Sequence, residues 1–199
     1  MEFSFSEHII LENHFALLRP IGKYDFDELS MIAYDYDIWK YNVSRCMNNE
    51  ALTNYIYTAL NDRKKKIRYP LVIIDKKSKH IAGSSSFGNI SNKDKRLEVG
   101  WSWLGKSFQG TGLNKNCKFL MLTYVFEHLD FERVEFKTDV LNAQSRKALQ
   151  NIGAKEEGIL RSHTVMQDGR RRDTIYYSIL KPEWGNIKNT IFSDLVLRL

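Results

Sequence analysis

The sequence predicts a mixed α+β fold organised around one mixed β-sheet. Three observations carry that reading. Apolar runs at 71–75, 81–87 and 97–104, separated by polar turns, read as a meander of antiparallel strands. A helical pattern over 113–129 lies between the run 97–104 and the run 133–138. Those two strands are then parallel, because a parallel pair needs a crossover and cannot be closed by a tight turn. Asp168-Gly169 joins two further strand patterns and marks a hairpin at the end of the sheet.

The elements follow in order. Phe15–Arg19 reads as the first strand. Asp25–Tyr34 and Glu50–Arg68 read as helices, the second with Ala51, Tyr55, Ile56 and Leu60 at helical spacing. Arg63 to Lys66 suits the negative end of that helix dipole. The turn 76–79 separates Leu71–Asp75 from Ile81–Phe87, and Asn89–Lys95 leads into Leu97–Leu104. In Leu113–Leu129 the residues Leu113, Cys117, Leu120, Tyr124 and His128 share a stripe. Arg133–Thr138 is a strand, and Ala143–Ile152 is a helix stopped by Gly153. Lys155–Val165 and Thr174–Leu180 form the hairpin, and Pro182–Leu199 reads as a short helical tail. The three prolines, 20, 70 and 182, sit near element boundaries.

The 199 residues are expected to form one domain spanning 1–199, with enough length for a sizeable core. The excess of basic residues, net +6, suits an anionic cofactor but is too diffuse to argue for nucleic acid. Two cysteines, Cys46 and Cys117, make no disulfide framework, and Cys117 reads as a buried reduced thiol inside a helix. No apolar run approaches the roughly 18 residues of a membrane span, and no signal-peptide pattern opens the chain, so a cytoplasmic protein without a membrane partner is expected.

Three constellations stand out. Gln109-Gly110-Thr111-Gly112-Leu113 joins a strand to a helix, where backbone N–H groups and the helix dipole can hold a phosphate; a tight turn is the plainer reading. It is not a Walker loop, since no Gly-Lys-Ser/Thr follows, and it lacks the third glycine of the dinucleotide fingerprint. Asn142 and Ser145 open the helix after the next parallel strand, as caps or as groups facing the same crevice. Glu98 breaks an apolar strand, with Gly100 and Ser102 as its alternation partners. It is a surface carboxylate or, in a strand covered on both faces, one that needs a partner or a task.

Together these segments resemble the GCN5-related N-acetyltransferases (GNAT), most closely the branch of ribosomal-protein N-terminal (alanine/serine) acetyltransferases. The resemblance rests on 97–104 (LEVGWSWL), 108–114 (FQGTGLN), 133–149 (RVEFKTDVLNAQSRKAL), 152–158 (IGAKEEG), 168–173 (DGRRRD) and 177–184 (YSILKPEW), within residues 14–184. It implies the GNAT fold, a central mixed, mostly antiparallel, splayed sheet flanked by helices on both faces. It implies acetyl-CoA as cosubstrate and no metal. The pantetheine arm would lie between strands 97–104 and 133–138, against backbone near Trp101, Trp103 and Leu104. The pyrophosphate would sit on Phe108, Gln109, Gly110, Thr111, Gly112, Leu113 and Asn114. Asn142 matches a cofactor-bonding position, and Arg146 or Lys106 faces the ribose phosphate on grounds of charge. Ser107 stands where the family pattern has Gln or Arg, which removes one side-chain contact but leaves the backbone cradle.

The implied reaction is direct acetyl transfer to an amine. An α-amine, with a pKa of about 7.7–8.0, is easier to deprotonate than a lysine at about 10.4. Glu98 is the expected base, acting through water. A backbone N–H near Trp103 would hold the oxyanion, and Ser145 would assist the departing thiolate. Trp39 and Tyr41 wall the acceptor cleft or belong to the core. The acceptor is a protein N-terminus, with a ribosomal protein as partner, or a small-molecule amine; the protein is a monomer or homodimer. A non-catalytic acyl-CoA-binding module is the alternative. Arg63–Lys66 and Arg170-Arg171-Arg172 either meet ribosomal RNA or are solvated surface.

Overall fold

A computed structural model describes residues 1–196. One eight-stranded sheet runs in the order β1-β2-β3-β4-β5-β6-β8-β7. Its strands are β1 (Leu11–Glu12), β2 (Ala16–Pro20), β3 (Arg68–Asp75), β4 (His80–Ser91), β5 (Arg96–Leu104), β6 (Arg133–Asp139), β7 (Lys155–Val165) and β8 (Arg171–Leu180). All neighbours are antiparallel except β5 and β6. The predicted meander, crossover and final hairpin are all present.

Helices α1 (Phe26–Ala33), α2 (Tyr36–Trp39) and α3 (Asn49–Lys64) precede β3. Helix α3 starts where the Asn48 side chain accepts the Ala51 N–H, satisfying one orphan donor of its first turn. It ends earlier than the sequence suggests. Arg68 belongs instead to β3, where its guanidinium reaches Asp62 and Ser86. Pro70 therefore lies inside a strand rather than at its edge, and its carbonyl accepts the Ile21 N–H. These helices cover one face of the sheet through Leu29, Ala33, Leu52, Ile56, Val72 and Trp103.

The opposite face packs on α4 (Leu113–Thr123), α5 (Ala143–Asn151) and α6 (Lys181–Thr190), with α7 (Ser193–Val196) beyond. Phe119, Phe126, Trp184 and Phe192 form an aromatic cluster there. The helix expected over 113–129 is interrupted: Tyr124–His128 forms a π turn, with Leu129 N–H bonded to the Tyr124 carbonyl. The wider turn takes His128 out of the predicted stripe, and it is exposed against the Tyr124 ring. The tail is helical as expected as far as Val196; its last three residues lie outside the described ones.

One irregularity in β5 sets the geometry of everything near it. The β4–β5 ladder passes from Ser86↔Gly100 to Ser84↔Trp103, so Trp101 and Ser102 together face Ser85. Trp101 takes a left-handed backbone (φ 51°), which is uncommon for a bulky residue. This is a β-bulge, and it reverses the alternation of every later side chain in the strand. Leu97 and Val99 join the α4 face, while Trp103 joins the α1–α3 face, where it donates to the Tyr55 hydroxyl and packs on Trp39. Ser102 turns toward α4 instead of sharing the side of Glu98, as simple alternation would have it.

Candidate active site

Strands β5 and β6 pair only over Arg96–Glu98 and Arg133–Glu135. Beyond that point they diverge. The gap opens into a cavity of about 580 Å³, walled by β5 from Val99 to Leu104, by Phe136–Thr138 of β6, and by the starts of α4 and α5.

The glycine turn forms one rim. Gly110 and Gly112 adopt φ of 74° and 89°, the left-handed conformation that glycine takes without a Cβ penalty, and a Cβ at either would meet nothing within 4 Å. The turn is tied by Thr111 Oγ1 to the Phe108 carbonyl at 2.8 Å and by Gln109 Nε2 to the Leu104 carbonyl at 2.9 Å. The first intrahelical bond of α4 runs from Asn116 N–H to the Gly112 carbonyl, so the N–H groups of the preceding turn have no helical partner. Gln109, Gly110, Gly112 and Asn114 line the cavity, whereas Leu113 is core.

Asn142 caps α5, its Oδ1 accepting the Ser145 N–H at 3.0 Å. Both residues also line the cavity, so the capping and crevice readings hold together. The Ser145 side chain makes no hydrogen bond among the described residues. Arg146 is not on the cavity wall. Its guanidinium turns to the Tyr177 hydroxyl, the Val140 carbonyl and Glu156. Lys106 is exposed, 3.9 Å from Asp35.

Glu98 is buried, only 3% exposed. One carboxylate oxygen, Oε2, accepts Asn89 Nδ2 at 2.6 Å and lies 2.9 Å from Lys137 Nζ. The other, Oε1, lies 2.7 Å from where a Cβ at Gly100 would be. Gly100 lines the cavity and Glu98 does not, so the missing side chain is the gap through which this oxygen approaches the cleft. Lys137 lines the cavity and sits 5.7 Å from the Trp101 ring, with the Arg68 guanidinium 5.5 Å from the same ring.

Tyr41 stands on the cavity wall, but Trp39 is core, packed edge-on against Tyr55 and at a tilt against Trp103, and donating to the Ala33 carbonyl. The arginine run of the hairpin is solvated only in part: Arg171 is exposed and Arg170 half-buried. Arg170 is bonded to buried Asp139, Arg171 to Ser162, and Arg172 is itself buried. Arg63 likewise bonds the Phe5 and Glu7 carbonyls and lies over the Tyr69 ring. Cys117 is buried, and burial pushes its thiol up to about 12, a setting for a structural cysteine rather than a nucleophile.

Lys118 went unpredicted. It follows Cys117 on α4, is 6% exposed, and lines the cavity. Its Nζ donates to Ser102 Oγ at 2.8 Å, and Ser102 Oγ lies 2.7 Å from Ser85 Oγ. The available signal was one charged residue inside the otherwise apolar run Cys117–Leu122.

A family profile described as an acetyltransferase (GNAT) domain matches residues 16–155. The chain belongs to the GNAT acetyltransferase family. Among its relatives, "Putative ribosomal N-acetyltransferase YdaF" of Bacillus subtilis (strain 168) is 35% identical over 108 residues, which is 54% of this chain and 58% of that protein. "Uncharacterized N-acetyltransferase p20" of Bacillus licheniformis is 30% identical over 57% of this chain and 62% of its own length. The chain thus spans about three fifths of the curated relatives it matches. A crystal structure of a GCN5-related N-acetyltransferase from Brucella melitensis superposes with a TM-score of 0.87 at 26% identity, over 96% of this chain and 86% of that one. The family uses acetyl-CoA as its cosubstrate. Among the described residues no helix is long and apolar enough to cross a membrane.

Proposed function

We propose that the protein moves the acetyl group of acetyl-CoA directly onto a primary amine, with a protein N-terminal α-amine as acceptor. The observation that carries this reading is the parting of β5 from β6 immediately after Glu98, with a glycine turn at one end of the gap and Ser145 on its wall. The pantetheine arm takes the place of the missing ladder, bonding to the free edge of β5, while the pyrophosphate rests on the turn Gln109 to Asn114. It uses the N–H groups that follow Gln109, whose own N–H is bonded to the Lys106 carbonyl. The neutral amine attacks the thioester carbon, and a C–N bond forms. Glu98 Oε1 takes the amine proton through a water in the Gly100 gap. A backbone N–H freed at the bulge holds the oxyanion. The C–S bond then breaks with its electron pair on sulfur, and the Ser145 hydroxyl bonds that sulfur. The name borne by the Bacillus subtilis relative supports a ribosomal protein as acceptor.

The test is coenzyme A thiol release from acetyl-CoA, with peptides copying ribosomal-protein N-termini and with small polyamines as acceptors. Peptide α-amines are expected to give the higher kcat/KM. Preference for polyamines would move the acceptor to small molecules. Tight acetyl-CoA binding without turnover on any amine would leave a non-catalytic acyl-CoA-binding module.

A further inference from the structure

Lys118 has no use in the reaction as just described, and its placement is costly. A buried ammonium needs a compensating charge or a full set of acceptors. Lys118 has one acceptor, Ser102 Oγ, and no carboxylate within ion-pair distance among the described residues. Helix α4 delivers it to the floor of the gap between β5 and β6, and the bulge at Trp101 brings Ser102 to that same face to receive it. Ser85, itself buried, holds Ser102 from the other side. Among the described residues no counter-charge accompanies it, and Lys118 lines the cavity.

We propose that Lys118 is a further catalytic residue, whose ammonium stabilises the coenzyme A thiolate as it departs and gives it a proton. This rests on the acetyl-CoA reading of the same cavity. The step balances. As the C–S bond breaks, its electron pair goes to sulfur; an N–H proton of Lys118 moves to that sulfur, giving the thiol and a neutral lysine. Water at the mouth of the cleft returns the proton. Ser145 then orients the sulfur while Lys118 supplies the charge.

Burial lowers the Lys118 ammonium to about 8, close to an ordinary thiol at about 8.5, and proton transfer is most effective between groups so matched. The titratable groups next to it or lining the same cavity are Cys117 on its own helix, Lys137 on β6, and Asp37 and Tyr41.

The experiment needs no acceptor. Coenzyme A itself is the probe, and the ultraviolet absorbance of its thiolate is titrated in complex with wild type, Lys118→Met and Lys118→Arg. The bound thiol should titrate below free coenzyme A on wild type. Lys118→Met should raise it by about one unit or more, and Lys118→Arg should keep it low. A bound thiol whose titration is the same in wild type and Lys118→Met overturns the role of Lys118 and leaves the site reading intact. No binding of coenzyme A to wild type overturns both. Should Lys118→Met fail to fold, the Arg variant and wild type decide: a bound thiol that titrates as free coenzyme A in both overturns the proposal.

Discussion

Glu98 and Lys137 meet where β5 and β6 part, Lys137 Nζ lying 2.9 Å from Glu98 Oε2. The pair uses one oxygen of the carboxylate, shared with Asn89. The second oxygen is left beside Gly100, on the side of the cleft. A charge-paired, hydrogen-bonded carboxylate is thereby fixed in orientation with one oxygen in reserve.

Glu98→Gln keeps the shape and removes the base. The rate on a peptide amine is expected to fall by about 10²–10⁴-fold, chiefly near neutral pH, with acetyl-CoA affinity retained. Initial rates against pH, with binding measured by calorimetry, check this; an unchanged pH–rate profile removes Glu98 from the base role.

Gly100→Ala tests the gap itself. Its methyl would sit 2.7 Å from Glu98 Oε1, against the free end of a side chain, so the carboxylate swings aside. Stability is expected to fall by about 1–3 kcal/mol, because the displaced carboxylate is buried and held by Asn89 and Lys137, while kcat falls and the KM for acetyl-CoA holds. Denaturant melts alongside kinetics separate the two.

Gly112→Ala tests the cradle. The added methyl meets nothing, so the cost is the left-handed backbone alone, about 1–2 kcal/mol. Relief of that strain shifts the turn and weakens acetyl-CoA binding. The expected signature is a raised KM for acetyl-CoA with kcat little changed, read from steady-state kinetics.

Cys117 is expected to stay unlabelled by iodoacetamide in the native protein and to react only on unfolding, because the thiolate is the reactive form and burial holds the thiol up to about 12. Cys46, also buried, is held up to about 12 in the same way. Mass spectrometry of native and denatured samples distinguishes the outcomes. Rapid native labelling at Cys117 with loss of activity would reopen a covalent route.

Much of this architecture was legible from patterns with a definite period. The meander at 71–104 announced itself by alternating apolar runs and polar turns, and the crossover by a helix between two strands. The glycine turn was legible because only a left-handed backbone asks for two glycines at a strand-to-helix junction. What escaped depends on contacts that no local pattern encodes. Nothing in Trp101-Ser102 says that two residues oppose one across the ladder, so the reversal that carries Ser102 to α4 was invisible. Lys118 looked like an ordinary helical lysine, since its burial comes from β5 above it. Arg172 looked solvated because three adjacent arginines usually are; its place on β8 puts it under the hairpin. Helix α2 has four residues, too few to show a period, and β1 has two and exists only through pairing with β2.

The bulge at Trp101 lets one strand serve both faces of the sheet with residues whose parity alone would send them the wrong way. Were β5 to run through this point with all its residues but without the bulge, simple alternation would, in one stroke, expel Trp103 from its aromatic neighbours and leave Lys118 without Ser102. Substitutions elsewhere along the strand each disturb one contact; regularising the bulge disturbs both sides of the sheet. Within this strand, tolerated variation should therefore keep the irregular backbone at Trp101, the one place where the two faces change parity.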